Sequence, residues 1–287
     1  MPSWFDKLTM RSTLKFEDKV DLIPNAHLRA KRRAEELPMP RSHSSLQRLF
    51  VEPDLGPGAI LHLGKDQSLY LAAVLRKGVG DEVVLFNGRD GAWLCRLTGD
   101  AKKAVTLEAI ERIAAQTPPS GLWYGFAPLK TERLDYMVQK AVEMGAGIIQ
   151  PVMTQYTQLH RLKPERLAAN AVEAAEQCEV LSVPEIAPEI TLDRLLDGWA
   201  ENHGDRKLIF ADEGETSASP LGRLETLRGE KLGLLIGPEG GFSAVEREKL
   251  RALPFVVPIS LGPRILRADT AAVAAMAIIQ ATIGDWR

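Results

Sequence analysis

Cysteine is scarce in this chain of 287 residues, which carries only Cys95 and Cys178. Two thiols so far apart form neither a disulfide framework nor a zinc site, and both are expected to be buried apolar fillers in a reducing compartment. The five histidines, at 27, 43, 62, 160 and 203, are scattered without metal-ligand spacing, so no metal is expected. No apolar run reaches the ~18 residues that span a bilayer, and the first residues carry no apolar leader segment. A cytoplasmic protein with no membrane partner is expected. Neither charge sign dominates, with 36 Lys+Arg against 38 Asp+Glu and a formal net charge of −2. Any grip on a polyanion must therefore come from a local basic patch. Two phosphate-binding signatures are missing as well. No Gly-rich turn is followed by Gly-Lys-Ser/Thr, and no G-x-G-x-x-G occurs.

What is present is concentrated in the C-terminal third. Residues 235–246, LIGPEGGFSAVE, and 260–270, SLGPRILRADT, each run from a short apolar strand into a glycine turn that opens a helix. Leu232–Ile236 and Phe255–Ile259 are the expected strands. Gly237, Gly240 and Gly241 let backbone approach a ligand where a side chain would block it. Ser243 and Glu246 have capping-box spacing, and Asp269 or Thr270 is expected to cap the last helix. Such turns are also ordinary strand–helix connections. A pocket of backbone amides and apolar side chains without a phosphate-binding lysine suits a nucleoside without phosphates, such as S-adenosylmethionine.

The length suggests two domains with room for a real core. Residues 1–45 mix charges without an apolar period and are expected to be a weakly ordered extension, with a short helix around His27–Glu36. Its Lys31-Arg32-Arg33 cluster is either an arm for phosphates or a solvated face. Residues 46–115 read as a small β-rich domain. There Val83–Phe86 and Trp93–Leu97 flank the turn Asn87–Gly91, Ala104–Ala109 follows as a strand, and Tyr70–Leu75 is a short helix. Prolines at 118 and 119 mark a linker. Residues 116–287 alternate strand and helix, which predicts a parallel sheet covered on both faces. Leu134, Met137, Val138, Ala141 and Val142 form the apolar stripe of a helix closed by Gly145, and Pro164 starts another helix.

The pair GPEGGFSAVE and LGPRILRADTAAVAA resembles the signature of the SPOUT superfamily of trefoil-knotted methyltransferases, and within it the RsmE family. KTERLDYMVQKAVEMGAGIIQPVMTQ (130–155) and EAAEQCEVLSVPEI (173–186) resemble further stretches of that family, in collinear order from about Gln47 to the C-terminus. The chain departs from the pattern at Val180, where the family usually has Arg. The resemblance implies an α/β fold: a C-terminal knotted SPOUT domain preceded by a PUA-like β-barrel for RNA. It also implies a homodimer, and S-adenosylmethionine-dependent methylation of N3 of a uridine in 16S rRNA within the 30S subunit. The rival expectations are a SPOUT enzyme acting on a ribose 2′-hydroxyl and a non-catalytic ribosome-assembly factor.

Uracil N3 is a poor nucleophile until its proton leaves, and the resulting anion spreads onto O2 and O4. Arg267 is the candidate partner for that anion, with Asp269 as its structural alternative. Glu239 is a candidate base, an orienting group for the arginine, or a cap on its own turn. Ile236, Gly237, Gly241, Leu261, Gly262, Ile265 and Leu266 are the candidate cofactor contacts. Arg76, Lys77, Lys130, Arg133, Arg161 and Arg166 are the candidate RNA contacts, though basic helix faces are often simply solvated. Glu173, Glu176 and Gln177 suggest polar contacts and not metal binding.

Overall fold

The computed structural model describes residues 43, 45–101, 104–159, 161–212, 214–215 and 219–286. The Lys31-Arg32-Arg33 cluster, the helix expected at 27–36 and His160 lie outside the described residues, as does nearly all of the expected extension at 1–45.

The first sheet is built from β1 (Arg48–Phe50), β2 (Ile60–His62), β3 (Glu82–Phe86), β4 (Ala92–Ala101) and β5 (Ala104–Ala114), ordered β1-β3-β4-β5-β2. The predicted hairpin is β3 against β4, antiparallel from Glu82↔Arg96 to Phe86↔Ala92. β1 lies parallel to β3 on the other side, a pairing that hairpin spacing does not reveal. Register shifts along β4 and β5 mark bulges, which increase twist and bend the sheet around its core. Strand β3 is buried on both faces. Val83 and Leu85 point into the sheet's own core, and Val84 and Phe86 pack into the core of the residues that follow. Between β2 and β3, α1 (Lys65–Leu69) runs into a π-helical turn, Tyr70–Val74. The expected short helix therefore begins five residues earlier than its apolar stretch indicates.

The second sheet combines β6 (Leu122–Phe126), β7 (Ala146–Met153), β8 (Glu185–Ile186), β10 (Lys207–Ala211), β11 (Leu232–Ile236) and β12 (Val256–Ile259), with the short β9 (Ile190–Thr191) pairing β7. Every pairing in it is parallel, in the order β12-β10-β11-β6-β7-β8. Its helices are α2 (Thr131–Glu143), α3 (Pro164–Gln177), α4 (Leu192–Asp197), α5 (Trp199–His203), α6 (Pro220–Glu225), α7 (Ala244–Ala252) and α8 (Ala268–Thr282). One face packs on α2, α3, α6 and α8, and the other on α4, α5 and α7, as parallel strands require. All five stripe residues of α2 are at most 5% exposed. Gly145 ends that helix at φ 80°, and a Cβ there would lie 2.6 Å from Gln280 Nε2. That amide, on buried Gln280, donates to the Met144 carbonyl and ties α8 to α2.

Two local expectations are corrected. Helix α8 begins at Ala268 with Arg267 as N-cap, so Asp269 and Thr270 lie inside its first turn. The Asp269 carboxylate is turned to the Thr270 N–H beside it. Ala268 is buried, and packing it starts the helix without a side-chain cap. Cys178 is exposed, because it is the C-cap of α3, where the helix end meets solvent. Cys95 is buried as expected, and burial pushes its thiol up to about 12.

The two sheets meet along α3 and β1. The Phe50 N–H donates to Glu176 Oε1 at 2.8 Å, which gives that predicted polar contact its partner. Burial at this seam raises the Glu176 carboxyl above the usual carboxylate range, partly offset by the same hydrogen bond. Val180 packs against the apolar core.

Candidate functional site

In the second sheet, β11 follows β10 and lies between it and β6, while β12 returns to the far side of β10. The strand order thus reverses direction around β10. Crevices at such reversals, beyond the carboxyl ends of the strands, are where open α/β sheets bind ligands. The chain has a cavity of about 110 Å³ there, open to solvent. Its walls come from the segments that leave β10, β11 and β12.

Ile236, Gly237, Glu239 and Gly241 line the cavity from the first glycine turn, and Leu261, Gly262, Ile265 and Leu266 from the second. All seven predicted cofactor contacts are therefore brought together. Gly241 and Gly262 have φ of 70° and 102°, a region closed to most side chains. The Gly241 N–H closes its turn on the Pro238 carbonyl at 2.9 Å. The first turn is pinned from below by the predicted capping box. Ser243 Oγ accepts the Glu246 N–H, and Glu246 Oε2 accepts the Ser243 N–H. The other oxygen of Glu246 accepts the Gln155 N–H at 2.8 Å, which fastens the loop after β7 to the same corner. There Tyr156, half exposed, lies against Gly240.

The charged candidates are distributed less simply. Arg267 is exposed and makes no ion pair with a described residue. It stands between the lining residues Leu266 and Ala268 without lining the cavity itself. Glu239 lines the cavity, and its carboxylate is paired with the guanidinium of Arg133 from α2. Arg166 pairs with Asp135, with Nε at 3.0 Å from Oδ1, and so links α3 to α2. Arg76, Lys130 and Arg161 are exposed and Lys77 half exposed, and none forms an ion pair with a described residue. Arg76 adopts φ 55° in the turn after the π-helical segment. Lys130 is the N-cap of α2. Among the described residues, no cluster of three or more His, Cys, Asp or Glu could hold a metal ion, and no helix is long and apolar enough to cross a membrane.

Sequence reasoning missed three polar residues of the cavity wall: Asp212, Arg247 and Arg264. Arg264 was within the quoted turn but undistinguished from its neighbours. Asp212 and Arg247 meet only through the fold, although Arg247 and Arg251 share a helix face at i, i+4 spacing.

A parallel α/β domain with glycine-walled strand ends, joined to a small β domain, has a counterpart among known families. Residues 116–280 match the family model of the RNA methyltransferase domain, and residues 63–110 that of the RNA methyltransferase PUA domain. The class is that of RNA methyltransferases with a PUA domain. Ribosomal RNA small subunit methyltransferase E of Rickettsia conorii is 30% identical over 235 residues, covering 81% of this chain and 94% of that protein. The Synechocystis protein of the same name is 31% identical over 241 residues, covering 82% and 78%. This chain belongs to the ribosomal RNA small subunit methyltransferase E family. Among solved structures, that enzyme from Neisseria gonorrhoeae, bound to S-adenosylmethionine, superposes with a TM-score of 0.71 at 26% identity, covering 84% of this chain and 100% of that one. The Legionella pneumophila protein Lpg2936, in complex with the bound cofactor, gives 0.70 at 28% identity, covering 82% and 97%.

Proposed function

We propose that this chain transfers a methyl group from S-adenosylmethionine to N3 of a uridine in 16S rRNA. One observation carries the reading: both glycine turns line a single cavity at the strand-order reversal. The fit to the cofactor is supported by the cradle itself. A Cβ at Gly237 would lie 2.6 Å from the Phe242 ring, so only bare backbone leaves that wall open. Ile236, Leu261, Ile265 and Leu266 offer an apolar wall for the nucleoside.

When bound, the cofactor supplies an electrophilic methyl group on a sulfonium. The chain's own residues must hold the uracil in line and deal with the N3 proton. Glu239 is the proposed proton acceptor or the group that orients the arginine. Arg267 is the proposed partner of the anion on O2 and O4, since a guanidinium offers two donors to a carbonyl oxygen. Arg133 then has two possible partners, Glu239 and an RNA phosphate. A phosphate that takes Arg133 frees the Glu239 carboxylate for the proton.

The assembled 30S subunit as substrate, a homodimer through the C-terminal domain and a cytoplasmic setting belong to the same reading. So do the trefoil knot and the division at residues 45/46 and 115/116. Nucleoside mass spectrometry of 16S rRNA from a deletion strain should show one N3-methyluridine lost and restored by the wild-type gene. Loss of a 2′-O-methyl nucleoside, or no loss, would replace this reading with one of its rivals.

RNA binding by a chain of net charge −2 must rest on few phosphates. With about four to six contacts, log affinity should fall against log salt with a slope near −3 to −4. Arg76→Gln and Arg161→Gln remove side chains without ion-pair partners among the described residues, and each should flatten the slope by about 0.7 while leaving cofactor affinity unchanged. Arg166→Gln also unties Asp135, so its effect should include a lower melting temperature. Filter binding across a salt series measures this, and unchanged slopes would put the RNA elsewhere.

A further inference from the structure

The glycine turns account for the apolar and backbone walls of the cavity and leave its charged wall without a role. Asp212 follows β10 and its side chain is 1% exposed. It accepts the Gly214 N–H at 2.9 Å and Arg251 Nε at 2.8 Å, and Arg251 Nη2 approaches it to 2.6 Å. Arg247 Nε stands 3.5 Å from its other face, with that side chain 29% exposed. Asp212 and Arg247 line the cavity, and Arg251, one helical turn further along α7, does not. Arg251 thus holds the carboxylate from behind, and the carboxylate holds Arg247 at the wall. Gly214 closes over the group. A Cβ there would lie 3.2 Å from Arg247 Nη1 and 3.4 Å from Asp212 Oδ1.

We infer that Arg247 receives the α-carboxylate of the cofactor's amino-acid end, with Asp212 as its positioning residue. The inference rests on the S-adenosylmethionine reading above. That carboxylate is the only anionic group of the molecule, and a guanidinium is the side chain shaped to take it with paired hydrogen bonds. Arg264 is the other cation on the wall, but it is exposed on a glycine-proline turn and would have to be ordered on binding. Arg247 is held in advance, so less freedom is lost when the carboxylate arrives.

Titration calorimetry on the full chain tests this with two ligands. S-adenosylmethionine carries the carboxylate, and 5′-methylthioadenosine keeps the nucleoside and the S-methyl group, on a neutral thioether in place of the sulfonium, but lacks the amino-acid end. Arg247→Met should weaken the first by about 10- to 100-fold and the second by less than about twofold. Arg247→Lys should fall between wild type and Met for the first ligand only. A second arm needs no variant: the wild-type chain should bind decarboxylated S-adenosylmethionine about 10-fold or more weakly than the parent. Equal losses for both ligands in Arg247→Met, or no loss for either, would overturn the assignment. Wild-type chain that binds neither ligand would instead sink the cofactor reading, and this inference with it.

Discussion

Replacing Arg267 by alanine should lower kcat for methylation of the small subunit by about 10²- to 10³-fold, the usual cost of removing one donor to a developing anion. Cofactor affinity should stay within about twofold of wild type, because the side chain does not line the cavity. The prediction rests on where the residue stands. Arg267 caps α8 through its backbone, with its carbonyl accepting the Ala271 N–H at 2.7 Å. Its side chain therefore has no structural task in the helix start, and Asp269, its expected structural partner, is turned to Thr270. Arg267→Lys should recover little, since an ammonium does not reproduce the planar pair of donors. Single-turnover methylation with saturating cofactor is the measurement. A wild-type rate in Arg267→Ala would remove this residue from the chemistry and leave Glu239 or Arg264 to be tested.

Gly237→Val should abolish measurable cofactor binding. Any Cβ at this position meets the Phe242 ring at 2.6, 2.9 and 3.2 Å. The ring cannot swing aside cheaply, because it is 6% exposed and packs edge-on against Phe210, with centroids 5.1 Å apart. Either the turn shifts into the cavity or the ring does, and both narrow the cleft. Overpacking of this kind costs about 1–3 kcal/mol of stability, so a folded but non-binding protein is expected. Differential scanning fluorimetry should register the lower melting temperature, and calorimetry the absence of heat. If the variant binds the cofactor as wild type does, the first glycine turn is not its wall.

Features set by neighbours in sequence were readable in advance. The strands β11 and β12, the capping box of α7, the stripe of α2 and the two glycine turns all follow from residues close together in the sequence. The start of α8 was misplaced because the side-chain chemistry of Asp269 and Thr270 suggested a cap, while burial of Ala268 decided the matter. What escaped was contact between distant segments. Arg133 meets Glu239 across 106 positions, and Asp212 meets Arg251 across 39. No periodicity encodes such meetings. The parallel pairing of β1 with β3 escaped for the same reason.

The position of β11 also constrains how the protein is made. It pairs with β10 on one side and β6 on the other, Gly233 opposite Trp123. A nascent chain that has reached the end of β10 therefore carries two strand edges waiting for the same missing neighbour. Edges of that kind invite pairing with other chains. The sheet can close only after β11 has been synthesised, and α8, which fastens to Met144 through Gln280, comes later still. Contacts so distant in sequence are slow to form. Maturation should thus be late and all at once, and a chain truncated before residue 236 should be a substrate for chaperones and proteases instead of a partly active enzyme.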